Sequence, residues 1–244
     1  MCTVSVISPR EGVLRLACNR DELLSRPIAL PPHTVRFGAH EAILPIDPQS
    51  GGTWIALSDA NLVFTILNAK RGWTPDTKPP RSRGEIIPSL LQCSTVEEAI
   101  DQMAHFDAKL YGPFHLLVMG LRGGGEVMSD GRRITRRRVP LERLPLMLTS
   151  SGLGDELVGR PRREVFDDMI TFGEQTAAAQ DAFHRHAWPD RGYMSVRMRR
   201  TDARTVSHTV VELSACGRSM RYQPLDDVVR VPNADRVNEV LVPA

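Results

Sequence analysis

Four short runs rich in β-branched and apolar residues, "CTVSVI", "GVLRLAC", "TWIAL" and "LVFTILN", fall within the first 68 residues. They are set apart by the turn-like "SPREG" and "SDAN" and by polar stretches. That pattern predicts a β-meander. Two long stretches, "NRDELLSRPIALPPHT" and "RGWTPDTKPPRSRG", read as loops because prolines, glycine and charge interrupt them. Helical spacing takes over in "EIIPSLLQC", shortened or kinked by Pro88, and in "STVEEAIDQMA", where Ser94 and Glu97 have the spacing of a capping box. "FHLLVMGL" reads as a buried strand. "GEVMSDGRRITRRRV" reads as a hairpin turning on Asp130-Gly131 in a type I′ turn. "LPLMLTSS" is a further strand, and "PRREVFDDMITF" and "AAAQDAFHRHAW" are two helices. "RTVSHTVVEL" and "SMRYQPL" form a closing hairpin around Cys216-Gly217. Strands, helices, strands, helices, strands, with no repeat and no linker, predict one α+β domain over residues 1–244.

Composition narrows the function classes. A net charge of +2 gives no bulk attraction to nucleic acid or to a charged membrane. The basic run Arg132, Arg133, Arg136, Arg137 and Arg138 admits a nucleic-acid reading, but strand alternation splits it between two faces, so a solvated edge hairpin is the stronger expectation. No apolar run approaches about 20 residues, so no span of a bilayer is expected. The start lacks a charged segment followed by a long apolar one, so no secretory signal is read and the cytoplasm is the expected location. The four cysteines, Cys2, Cys18, Cys93 and Cys216, form no CxxC pair, and no metal site is expected.

Cys2 carries the sharpest chemical question. It is either a small strand residue or, once methionine aminopeptidase has removed Met1, an N-terminal nucleophile. In the second case one residue holds a thiol and a free α-amine, whose ordinary values are about 8.5 and 7.7–8.0. The amine then serves as general base for its own side chain. Such a site needs an oxyanion donor and a group that orients the amine. A hairpin from residue 2 to residue 21 returns Arg20 and Asp21 to the N-terminus, where Asp21 is placed to bind the amine; the alternative is a surface ion pair. Asn68, ending an apolar run, is either an oxyanion donor or a turn residue.

The set "MCTVSVI", "CNRDE" (with Asn19-Arg20-Asp21-Glu22), "PIDPQSGGTWIAL", "ILN" and "SRG" resembles the NRDE family, also called the transport and Golgi organisation family. The resemblance is dense over residues 1–92 and reappears in "LTSSGLGDELVGRPRREVF". It implies an N-terminal-nucleophile hydrolase-like fold, a four-layer αββα sandwich with two stacked antiparallel sheets, as in penicillin V acylases and bile-salt hydrolases. On that resemblance Cys2 is the nucleophile, Asp21 holds the amine and Asn68 is the oxyanion donor, with Arg20 beside them. Asn19, Trp54, Ser150 and Arg204 are the candidate ligand-binding residues. Cys18 stands where those hydrolases have an arginine, Ser150 falls near their second oxyanion asparagine, and Arg200 fits the late arginine almost as well as Arg204. The implied activity is hydrolysis or acyl transfer on a small amide, with no cofactor required. The family also implies a rival, intracellular haem binding or trafficking through the same pocket. A Cys2 or Cys18 thiolate would then ligate iron and arginines would pair with the propionates.

Overall fold

The computed structural model describes residues 2–70, 79–225 and 238–243. Residues 71–78, most of the long loop read from the sequence, lie outside these. In chain order the elements are β1 Cys2–Arg10, β2 Val13–Leu23, β3 Leu30–Phe37, β4 His40–Ile46, β5 Ile55–Ser58, β6 Val63–Asn68, α1 Ile86–Leu90 and α2 Val96–Gln102. There follow β7 Phe114–Gly120, β8 Gly123–Ser129, β9 Ile134–Val139, β10 Leu146–Thr149, α3 Asp155–Phe166, α4 Ala177–Arg185, β11 Ala203–Ser214, β12 Gly217–Pro224 and β13 Asn238–Pro243. The α+β class expected from the sequence is the one observed. The strands form two antiparallel sheets and divide the chain into two compact units.

The first unit comprises Met1–Arg26, Pro145–Thr149 and Glu156–Ala244. Its six strands run in the order β10-β1-β2-β11-β12-β13. Side chains alternate across a strand. Thr3, Ser5 and Ile7 therefore face α3 and α4, while Cys2, Val4 and Val6 face the other way; contacts from Thr3 to Arg162 and from Ser5 to His184 fix the assignment. The helix-covered face has an apolar core of Ile7, Met147, Phe166, Ile170, Phe183 and Val196. Within it the Phe166 and Phe183 rings meet edge to face at 5.2 Å. Burying each such ring contributes about 1.5–3 kcal/mol.

The second unit comprises Pro27–Leu144 and Ser150–Asp155, with a seven-stranded sheet ordered β3 to β9 in sequence. β5, β6 and β7 are almost wholly buried apolar strands. Helix α2 packs directly on β8: a Cβ on Gly125 would fall 1.5 Å from the end of the Ile100 side chain, which would have to turn aside to admit it.

Several local expectations are corrected. "NRDELLSRPIALPPHT" is mostly strand, because β2 stays paired through Leu23 with β11. β3 accepts Pro31 and Pro32 because it is an edge strand, and its register slips between Leu30 and His33. The capping box of α2 is shifted by one residue: Thr95 Oγ1 accepts from the Glu98 amide at 3.1 Å, and Glu98 Oε2 accepts from the Ser94 amide at 2.8 Å. The β8–β9 connection spans Asp130–Arg133 rather than two residues, and Asp130 Oδ1 accepts from the amides of Arg132 and Arg133 at 2.7 Å each. Of these four residues only Gly131 has positive φ, whereas a type I′ turn needs two. Helix α3 starts at Asp155 and runs through Pro161, because its apolar stripe continues across the proline. Arg136 and Arg138 on edge strand β9 pair with Asp101 and Glu97, as the solvated-hairpin reading expects.

Candidate functional site

Cys2 is the first residue of β1 and only 3% exposed. In the β1–β2 register it lies directly across from Arg20, and Val4 lies across from Cys18. Cys2, Cys18 and Arg20 therefore share one face of the sheet. On β11, Ser207 pairs with Arg20 and Thr209 with Cys18, so both hydroxyls join that face. Ser207 Oγ and Thr209 Oγ1 are buried and make no hydrogen bond. One end of the sheet thus gathers two thiols, a guanidinium and two unsatisfied hydroxyls. A side-chain hydrogen bond from Cys18 holds the Cys2 thiol below its ordinary value. Burial opposes this, Arg20 reinforces it, and the Asp21 carboxylate works against it. Cys18, which stands where an arginine was expected, thus supports the thiolate by a different means.

Asp21 follows in β2 and, like Thr3, belongs to the helix-covered side. It is almost fully buried and accepts a 2.6 Å hydrogen bond from Thr205 Oγ1. Arg162 Nη2 on α3 lies 3.9 Å from Asp21 Oδ2. Burial pushes the Asp21 carboxyl above its ordinary value, while Arg162 and the Thr205 hydrogen bond pull it back. A surface Arg20–Asp21 ion pair does not form: Arg20 is buried and pairs with Glu22 at 3.2 Å.

Arg162 was not among the sequence candidates. Fully buried, it donates from Nε to the Met194 carbonyl at 2.9 Å, and from Nη1 to Thr3 Oγ1 and Thr149 Oγ1 at 2.8 Å each. Thr3 and Thr149, adjacent on β1 and β10, hydrogen-bond each other at 3.1 Å. The available signal was a charged residue at a core position, four residues from both Val158 and Phe166 in the buried stripe of α3.

Asn19 faces away from the Cys2 thiol. Its Nδ2 donates to the carbonyls of His184 and Val196, at 2.8 and 3.0 Å, and its Oδ1 meets His208 Nδ1 at 2.9 Å. Arg204, the second residue of β11, lies across from Glu22, and Arg200 just before the strand holds Asp202 through two contacts of 2.9 and 2.8 Å. The structure therefore brings Cys2, Arg20, Asp21 and Arg204 to one end of the first unit's sheet. Asn68, Trp54 and Ser150 belong to the second unit. Asn68 closes β6, pairing with Phe114. Trp54 is buried after the Gly51-Gly52 turn, and its carbonyl accepts from the Ile66 amide at 2.9 Å. Ser150 is buried immediately after β10. Among the described residues no group of three or more His, Cys, Asp or Glu is arranged to hold a metal ion.

The sequence profile described as Transport and Golgi organisation 2 matches residues 1–156. The chain belongs to the Transport and Golgi organisation 2 family. No curated protein matches it in sequence. Among solved structures, the N-acylethanolamine-hydrolyzing acid amidase ortholog of Caenorhabditis elegans is 16% identical with a TM-score of 0.59, over 86% of this chain and 92% of that one. Penicillin V acylase from Agrobacterium tumefaciens is 13% identical with a TM-score of 0.54, over 92% and 83%. A variant of conjugated bile acid hydrolase from Clostridium perfringens is 12% identical with a TM-score of 0.52, over 100% and 97%. These likenesses show that this family member has the N-terminal-nucleophile hydrolase fold expected from its sequence. Among the described residues no helix is long and apolar enough to cross a membrane.

Proposed function

We propose that this chain is an amide hydrolase or acyltransferase whose nucleophile is Cys2. The observation that carries the reading is the placement of Cys2 at the start of β1, its thiol hydrogen-bonded to Cys18, across from Arg20 and one residue out of register from Asp21. Once Met1 is removed, the Cys2 amine lies in the plane of the sheet, between the thiol on one face and Asp21 on the other. The amine takes the thiol proton and the sulfur attacks the amide carbonyl carbon. The tetrahedral oxyanion that forms needs a hydrogen-bond donor. The C–N bond then breaks, and the leaving amine takes the proton held by the Cys2 ammonium. Water, or an acceptor amine or alcohol, attacks the thioester, releases the acyl group and restores the thiol. Asp21 orients the amine and stabilises its charged form. The similar structures are named for an acylase, an amidase and a bile acid hydrolase, which agrees with an acyl amide as substrate.

The test combines intact mass with a chromogenic phenylacetanilide. Loss of Met1, and amine release that disappears in Cys2→Ala, are the expected results. A retained Met1, or equal release by the variant, overturns the reading. Haem carriage through the same thiol is the competing reading. It predicts a Soret band that saturates at about one equivalent and is lost in Cys2→Ala.

A further inference from the structure

Arg162 ties five parts of the first unit to one guanidinium. It comes from α3 and donates to Thr3 of β1, to Thr149 of β10 and to the Met194 carbonyl before β11, and its remaining nitrogen faces Asp21 of β2. Thr3 is bonded directly to Cys2, so a clamp on the Thr3 hydroxyl limits how far the Cys2 backbone moves. A guanidinium keeps its charge at any relevant pH and presents its donors in a rigid fork. A buried carboxylate, by contrast, tends toward its neutral form.

We propose that Arg162 is a positioning residue, which holds Asp21 as a carboxylate and fixes Thr3 so that the Cys2 amine is gripped in one place. The proposal rests on Cys2 acting as the nucleophile. A neutral Asp21 would lose its Coulomb attraction for the ammonium, and the amine would lose both its proton and its orientation. The other groups around Asp21 do not replace Arg162. Thr205 from β11 supplies a hydrogen bond but no charge. Arg200, ahead of β11, and the positive charge at the chain's amino terminus pull in the same direction as Arg162 but more weakly. Arg200 is also engaged by Asp202. Within β2, Arg20 is paired with Glu22. The Cys2 thiolate would oppose ionisation of Asp21.

The test follows the Asp21 carboxyl directly by carbon-13 NMR of aspartate-labelled protein, with Asp21→Asn to assign the signal. In Arg162→Met the Asp21 titration is expected to rise by about 1 unit or more, the size of effect that one arginine has on an adjacent aspartate. Arg162→Lys should restore most of the shift, because it restores the charge. In both variants the pH at which Cys2 alkylation accelerates should move with the carboxyl, which a purely structural arginine would not cause. A folded Arg162→Met with an unmoved Asp21 titration overturns the proposal. If that variant does not fold, Arg162→Gln replaces it, and an Asp21 that titrates above pH 7 in the unaltered protein also overturns it. The two readings fail separately. An Asp21 that follows Arg162 beside an unreactive Cys2 removes the nucleophile and keeps the electrostatic coupling. A selectively reactive Cys2 beside an indifferent Asp21 removes only the role of Arg162.

Discussion

Two arginines are fully buried on the helix-covered face of the same six-stranded sheet, and they are used differently. Arg15 spends each of its donor groups on a matched acceptor: Glu212 Oε1 at 2.9 Å, Gln180 Oε1 at 2.5 Å and Asp181 Oδ1 at 2.7 Å. Burial alone would raise the Asp181 carboxyl, but hydrogen bonds from His208 and Arg15 hold it well below the ordinary carboxylate range. That end of the sheet is an ion pair completed within itself. Arg162 meets two hydroxyls and a carbonyl, and its carboxylate lies farther off at 3.9 Å. Asp21 remains raised. The two guanidiniums thus differ in what they meet: carboxylates and an amide at Arg15, mainly hydroxyls and a backbone carbonyl at Arg162.

The largest expected effect lies at the completed end. Arg15→Met takes the guanidinium away from Glu212, Gln180 and Asp181, although Asp181 keeps His208 and Gln180 keeps Ser5. It should cost about 3 kcal/mol, the low end for breaking a buried pair because Asp181 and Glu212 reach water. Chemical denaturation measures this, and the alkylation profile of Cys2 should stay unchanged. A stable Arg15→Met with altered Cys2 reactivity would reverse the contrast between the two arginines.

The smaller effect lies at the other end. Asp21 has a raised folded value, so its contribution to stability is fully present below its unfolded value of about 3.9 and is lost as pH rises through the folded value. Asp181, with a lowered value, behaves oppositely: its contribution is present above the unfolded value and is lost as pH falls. At pH 7 Asp21→Asn should therefore change stability by no more than about 1 kcal/mol in either direction, since the amide can keep the Thr205 hydrogen bond. A loss as large as that of Arg15→Met would make Asp21 a structural residue.

How much of this was legible follows from what alternation can report. The strands β1, β2, β5 and β6, the helices behind β6 and the hairpin of β11 and β12 were readable because apolar periods of 2 and about 3.6 differ. The single meander expected of the first four runs is corrected: β1 and β2 belong to one sheet and β5 and β6 to the other, because pairing partners are not written in the alternation. β3 and β4 were not: prolines and polar residues mask the alternation of edge strand β3, and β4 is a short strand whose pairing with β3 and β5 is decided by those neighbours. Cys2 and Asp21 were visible through the NRDE tetrapeptide and its spacing from the N-terminus. Cys18 was visible only as a departure from a pattern, because its effect depends on the β1–β2 register that sets it beside Cys2. Arg15 looks like a solvent-facing residue between Leu14 and Leu16, since alternation cannot distinguish water from a covering helix. Arg162 interrupts the stripe of Val158 and Phe166, but the same pattern arises when a long side chain snorkels to the surface.

The central claim, that Cys2 is an activated nucleophile and not a buried strand residue, meets its most direct test in a short pulse of limiting iodoacetamide at pH ~7 followed by peptide mapping. Exposure alone favours Cys216, the one exposed cysteine of the four. Cys93 is disfavoured because burial raises its thiol. Because the thiolate is the reacting species, Cys2 is expected to be labelled ahead of Cys216, Cys93 and Cys18. Labelling led by Cys216, with Cys2 protected until the protein unfolds, would contradict the account.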